Sequence, residues 1–228
     1  MANSSWHEHL IYGTRKLRIE KYVSEGWRAF RTHFLTFFLA GIIAMVLSAL
    51  SLGILGGVLF AGYAMMFVRF FRDQKTPEIE HLFQYFSRFV PLFLASLIYF
   101  AAALLSTSFR VTPFLGILVI PGIFVFALAL YIIPLMIDRN LSLRDAIRQS
   151  VEMGWNRSGL LMNCIFALLL CLMMFVGAQV FLIGTFITYP LFTGTLAAAY
   201  LDLSRAEAAT RMTESPSAQR REPVMPAD

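Results

Sequence analysis

Three long stretches of the chain carry no Asp, Glu, Lys or Arg: Phe34 to Val68, Val111 to Ile137 and Gly159 to Leu201. A bilayer-spanning helix needs about 20 mostly apolar residues, and each stretch supplies that length or nearly twice it. The first reverses near Ser51-Leu52-Gly53, with Gly56-Gly57 close behind, because glycine-rich turns let a chain fold back. The third divides near Gly177-Ala178-Gln179. The pattern predicts six spans, at 34–50, 55–71, 89–109, 113–137, 160–176 and 181–201.

A polar segment of helical period introduces each pair of spans. In the first, Ile19, Tyr22, Val23, Gly26, Trp27 and Phe30 recur on one face, with Arg and Lys on the other. The second opens on Thr76-Pro77-Glu78, a cap followed by proline at the first helical position and an acid in the first turn, with the stripe Ile79, Leu82, Phe83, Phe86. The third opens on Ser142-Leu143-Arg144-Asp145, a capping box with Asp in place of Glu, with the stripe Leu143, Ile147, Val151, Trp155. The caps Thr14, Thr76 and Ser142 lie 62 and 66 residues apart, and a shift of 128 sets Val23-Ser24-Glu25-Gly26-Trp27 on Val151-Glu152-Met153-Gly154-Trp155. Such a period points to a threefold repeat over 14–75, 76–141 and 142–203; chance identity is the other reading of so few matches. The expected fold is an all-α membrane bundle of six transmembrane helices in three hairpins, each preceded by an amphipathic helix on the cytoplasmic face. Residues 1–13 are expected to be mobile, and 204–228, rich in Ala, Arg, Glu, Ser and Pro, a disordered tail.

Composition agrees with the pattern. Hydrophobic residues make up 58% of the chain and charged ones 14%, against roughly 45–50% and 25% in soluble domains, too much apolar surface for water to tolerate. Charge placement sets the orientation: 18 of the 19 basic residues fall on one side of the predicted spans, and only Arg110 opposes them. The positive-inside rule then puts both termini in the cytoplasm. The net charge of +5 does not imply nucleic-acid binding, since the basic residues sit at the ends of apolar runs rather than in a groove-sized cluster. The first 33 residues contain no apolar core of a cleavable signal. Cys164 and Cys171, seven residues apart, are about 10 Å apart along one helix and cannot pair with each other.

The introducing segments nominate Trp27, Arg28, Phe86, Arg88, Arg148 and Trp155 as interfacial lipid contacts. Their rings would sink to the acyl boundary and their cations would face anionic lipid of the cytoplasmic leaflet; the alternative is that the segments pack under the bundle as connectors. Apart from Arg69 at the inner end of the second, the predicted spans hold no charged residue, which disfavours proton- or ion-coupled transport. Asn163 and Gln179 should face the interior, as interhelical glue or as ligands. Ile120-Pro121-Gly122 should interrupt the fourth span and Tyr189-Pro190 the sixth. Interrupted helices point to binding sites in transporters, although a packing kink is the commoner cause. Pro121, Gly122, Asn163, Gln179 and Pro190 thus form the candidate substrate region. His7-Glu8-His9 lacks metalloprotease spacing, and no phosphate loop, nucleophile elbow or carboxylate pair occurs, so no catalytic, cofactor or metal site is expected.

The order Val119-Ile-Pro-Gly-Ile123, Pro134-Leu-Met-Ile-Asp-Arg139, Asp145-Ala-Ile-Arg-Gln-Ser150, Gly154-Trp155, Gly184, Pro190-Leu191 and Ala199-Tyr200-Leu201 resembles that of a broad, uncharacterised set of bacterial six-helix integral membrane proteins. That set is similar to the membrane domain attached to some glycerophosphoryl diester phosphodiesterases, and His81-Leu-Phe-Gln-Tyr-Phe86 is similar to its loop between spans two and three. The likeness covers residues 15–203; the phosphodiesterase catalytic barrel has no counterpart, so the resemblance implies a fold and a bacterial inner-membrane location but no activity. The functional expectation is a non-catalytic accessory, scaffold or envelope-maintenance module working through membrane lipids, a protein partner or a second copy. The alternative is a transporter or channel for a neutral or amphipathic small molecule.

Overall fold

The computed structural model describes residues 17–107, 119–157, 159–179 and 181–219. His7-Glu8-His9, Thr14, Arg110 and Pro113 lie outside the described residues. The described chain is all helical, with no strand among the described residues: α1 (Ile19–Thr32), α2 (Phe34–Leu50), α3 (Gly56–Asp73), two short 3-10 helices (Ile79–Phe83 and Phe86–Arg88), α4 (Phe89–Thr107), α5 (Val119–Ala129), α6 (Ile132–Asp138), α7 (Leu143–Glu152), a π turn (Met153–Arg157), α8 (Leu160–Gln179) and α9 (Phe181–Gln219).

The amphipathic α1 buries Tyr22, Gly26, Ala29 and Phe30 and turns Trp27 and Arg28 outward. At His33 it meets α2 at 100°, where the pattern changes from one apolar stripe to apolar residues all round. A helix with one apolar stripe seeks an interface and a uniformly apolar one seeks hydrocarbon, so the two halves cannot share an axis. Along α9, α1 packs so closely that a β-carbon at Gly26 would sit 2.8 Å from the Thr195 backbone nitrogen. Only glycine lets the two backbones approach like this, the small-residue contact familiar between membrane helices.

The centre of the bundle is α3, buried from Gly57 to Val68 except at half-buried Phe60, together with α9 from Thr193 to Leu201. The Phe37 and Phe67 rings stack at 4.0 Å, those of Tyr63 and Tyr189 at 5.1 Å, and the Tyr63 hydroxyl donates to the Phe37 carbonyl at 2.9 Å. Around this centre, α4 exposes Val90, Leu94, Leu97, Phe100 and Leu104, and α8 exposes Leu161, Ile165, Leu168, Leu172 and Phe175. Such stripes run the length of both helices and exceed what a soluble protein shows to water. Three segments, Ile79–Leu104, Val119–Asp138 and Leu160–Gln179, are long and apolar enough to cross a membrane, and α1 with α2 makes a fourth if that bent pair is one span. The chain is a membrane protein.

The sequence-based elements survive unevenly. The Ser142 cap forms as expected, its hydroxyl accepting from the Asp145 amide at 3.2 Å and donating to the Asp145 carboxylate at 2.6 Å. The second introducing helix does not form: Glu78 is extended with no side-chain cap bond, and single 3-10 turns follow. A 3-10 turn aligns residues three apart, so Ile79 and Leu82 face α3 while Phe83 and Phe86 turn outward. The interruption expected at Pro121-Gly122 is not seen among the described residues: α5, described from Val119, runs through both. Neither does Pro190 break α9, which runs unbroken through it; Pro190 is buried beside Gly41 of α2. The tail expected to be disordered from Ser204 starts instead as a continuation of α9 through Gln219. Alanine-rich sequence favours helix there, and Glu207 is held by an ion pair to Arg139 at 2.7 Å.

Candidate functional site

The fourth predicted span breaks at Leu130-Tyr131, between α5 and α6, three residues before Pro134. Pro134 has no N–H to offer the Leu130 carbonyl, so α5 ends and α6 restarts with the proline in its first turn. A helix end leaves its last four carbonyls without intrahelical partners, and hydrocarbon contains no water to serve them. Side chains of three neighbouring helices do so instead. From α8, Asn163 Nδ2 donates to the Ala127 carbonyl at 2.7 Å. From α7, the Ser150 hydroxyl donates to the Leu128 carbonyl at 2.6 Å and accepts from the Tyr131 amide at 3.3 Å. From α4, the Tyr99 hydroxyl reaches the Ala129 carbonyl at 2.6 Å and the Leu130 carbonyl at 3.1 Å. The Tyr131 hydroxyl closes the set on Asn163 Oδ1 at 3.2 Å.

Toward the end of the bundle remote from the basic residues lies a cavity of about 880 Å³, walled by α3, α4, α5, α6, α8 and α9. Small residues open it (Gly56, Gly57, Ala103 and Ala178) and rings line it (Phe60, Tyr99, Phe126, Phe175, Tyr189 and Phe192). Its few polar groups are partly engaged: Ser96 donates to the Phe93 carbonyl at 2.7 Å, and the Tyr99 hydroxyl serves the helix break. The wall therefore presents almost only carbon. Leu168, Leu172 and Phe175 belong both to this wall and to the exposed face of α8, so the cavity opens onto the lipid-facing surface. No protein family, curated protein or solved structure matches this chain. The site must be read from its own chemistry.

The five residues of the candidate substrate region are not brought together as a site. Asn163 is fully buried and spends both ends of its amide on the helix break, which makes it glue. Pro121 and Gln179 are exposed, Gly122 and Pro190 are buried, and none of the four lines the cavity, although Ala178 and Tyr189, next to Gln179 and Pro190, do. Of the proposed interfacial residues, Trp27, Arg28, Phe86, Arg148 and Trp155 are exposed. Arg88 turns inward instead and donates to the Met136 carbonyl at 2.8 Å, capping the end of α6.

At the basic end, sequence reasoning missed a charged clamp. Arg72 donates through both guanidinium nitrogens to Asp138, at 2.6 and 2.7 Å, and the Tyr200 hydroxyl donates to the same carboxylate at 2.7 Å. The bond to Asp138 holds the Arg72 guanidinium above its ordinary range. Nearby, the Tyr22 hydroxyl donates to Asp202 at 2.8 Å, and Gln149 Nε2 donates to Glu207 at 3.2 Å. These contacts tie α9 to α1, α3, α6 and α7. The available signal was that Asp138 and Asp202 each directly follow an apolar run, at the edge of a predicted span. Among the described residues no group of three metal-ligating side chains occurs.

Proposed function

We propose that the chain is a non-catalytic, multi-pass protein of the bacterial inner membrane that houses the apolar part of an amphipathic molecule. The supporting observation is the 880 Å³ cavity with an almost wholly carbon wall that opens toward lipid. In this reading the bundle has six spans in three hairpins, with α1 and α7 at the cytoplasmic face and both termini in the cytoplasm. The 17 residues of α2, the basic residues gathered at one end of α3 and the apolar half of α9 support that count. Acyl tails are as apolar as the wall, so entry into the cavity gains little from the hydrophobic effect. Selection rests on shape, which suits a module that retains, presents or passes on a chain better than one that extracts it from water. A transport reading draws on the α5–α6 break, since carbonyls held only by side chains can exchange partners without unravelling a helix.

The test fills the space. Ala103→Trp on α4 and Ala178→Trp on α8 each place an indole in the cavity from a different wall. Purified protein in nanodiscs is incubated with a fluorescent acyl-chain probe, and Cys171, a lining residue, is labelled with an apolar thiol reagent in a Cys164→Ser background. Probe binding should fall about tenfold in either variant, the loss of roughly 1.4 kcal/mol of packing, and bound probe should slow labelling of Cys171. Unchanged binding in both variants, with Cys171 labelled at the same rate throughout, would sink the reading.

A further inference from the structure

We propose that the pocket between the end of α3 and the first 3-10 helix is a binding site for a phosphate group, separate from the apolar cavity and independent of what that cavity holds. It encloses about 340 Å³, within the range of roughly 300–1,000 Å³ typical of small-ligand sites. The site is built by a tight reversal. Helix α3 stops at Asp73 because Gln74 adopts a left-handed conformation (φ 53°), its amide donating to the Phe70 carbonyl at 3.1 Å. The chain then doubles back, laying Lys75, Thr76 and Pro77 against Met66, Arg69 and Asp73, which recur on one face of α3. The reversal is locked where the Leu82 backbone carbonyl rests directly on Gly62, a contact any β-carbon would obstruct. That contact fixes His81, one residue earlier, over the pocket.

The donors are the kind that hold phosphate oxygens: a guanidinium, an ammonium, an imidazole and a hydroxyl. Among the described residues neither Arg69 nor Lys75 is engaged in an ion pair. Arg69 donates to the neutral Tyr85 hydroxyl at 3.1 Å, which orients the guanidinium without consuming its charge. With Asp73 as the only acid in the wall, the pocket keeps one net positive charge before His81 is counted, which matches a phosphodiester. Two exposed rings, Phe83 and Phe86, lie 6.0 Å apart just beyond it, at the level where aromatic side chains meet lipid headgroups. A phospholipid headgroup and free inorganic phosphate share the recognised chemistry.

The experiment uses the full chain in phosphatidylcholine nanodiscs, with two probes titrated separately: inorganic phosphate and phosphatidylglycerol. Binding is read by thermal shift and native mass spectrometry. The test variant is Arg69→Gln with Lys75→Gln; the control, Arg144→Gln with Arg205→Gln, removes the same charge from elsewhere on the basic rim. Wild type and control should bind alike, and the test variant at least about tenfold more weakly, the loss of one charge-assisted hydrogen bond or more. Loss confined to phosphatidylglycerol identifies a headgroup site, and loss of both probes a site for the bare anion. Equal binding by test and control variants, or no saturable binding of either probe by wild type, would overturn the proposal. Should the double variant fail to fold, Lys75→Gln alone, at an exposed position, carries the same comparison.

Discussion

Replacing Tyr99 by Phe removes one oxygen and keeps the ring that lines the cavity. The lost hydroxyl donates to the Ala129 carbonyl at 2.6 Å and also lies 3.1 Å from the Leu130 carbonyl. The proton is nearest Ala129 and shared with Leu130, so the variant should leave both buried carbonyls without their side-chain donor. Side-chain hydrogen bonds inside membranes average about 0.6 kcal/mol and reach about 1.7, while an orphaned buried acceptor costs about 1–3. The expected loss is therefore about 1–2 kcal/mol, measured as fraction unfolded in a reversible detergent titration. A second substitution tests the cause. Pro134→Ala restores an amide four residues after Leu130 and offers that carbonyl a backbone donor, so Tyr99→Phe should cost less in its presence. A coupling of about 0.5 kcal/mol or more is expected of groups that share a partner. If Tyr99→Phe is silent in both backgrounds, or costs the same in both, side-chain capping of the broken helix is not what holds it.

Gly26→Ala should destabilise the bundle by about 1–3 kcal/mol, because its β-carbon meets the α9 backbone rather than a movable side chain; a thermal melt in nanodiscs checks it. Asp138→Asn should cost about 1–2 kcal/mol, less than a fully buried pair because the Arg72 side chain is 42% exposed, and added salt should hardly change the loss because the Asp138 side chain is only 8% exposed. Ser142→Ala should lose about 1 kcal/mol of local helix stability, seen as faster amide exchange confined to the first turn of α7.

Much of the fold was legible because hydrocarbon imposes a simple rule on composition. The bounds of α2, the stripe of α1 and the Ser142 cap each follow from a few adjacent residues. The α5–α6 break was not foreseen, since only the restart of α6 at Ile132 shows that Pro134 stands at a helix boundary rather than within a continuous helix. Of the two amides expected to face inward, Asn163 is buried and Gln179 is exposed, and the work of Asn163 could not be assigned without the distant Ala127 and Tyr131. The cavity was invisible for a related reason. It arises where small residues of α3, α4 and α8 happen to face one another, and no local pattern distinguishes Gly57 or Ala178 there from small residues elsewhere. The continuation of α9 depends on Arg139, far from Glu207 in the chain but 2.7 Å from it in space.

The 39 residues of α9, at about 1.5 Å each, extend close to 60 Å, roughly twice the thickness of the hydrocarbon layer. One continuous helix thus carries Tyr189 and Phe192 in the wall of the cavity and, farther along, Glu207 in its ion pair with Arg139. A tug or a binding partner on the C-terminal half of that helix would be felt directly among the cavity rings, with no break in the helix in between to absorb it.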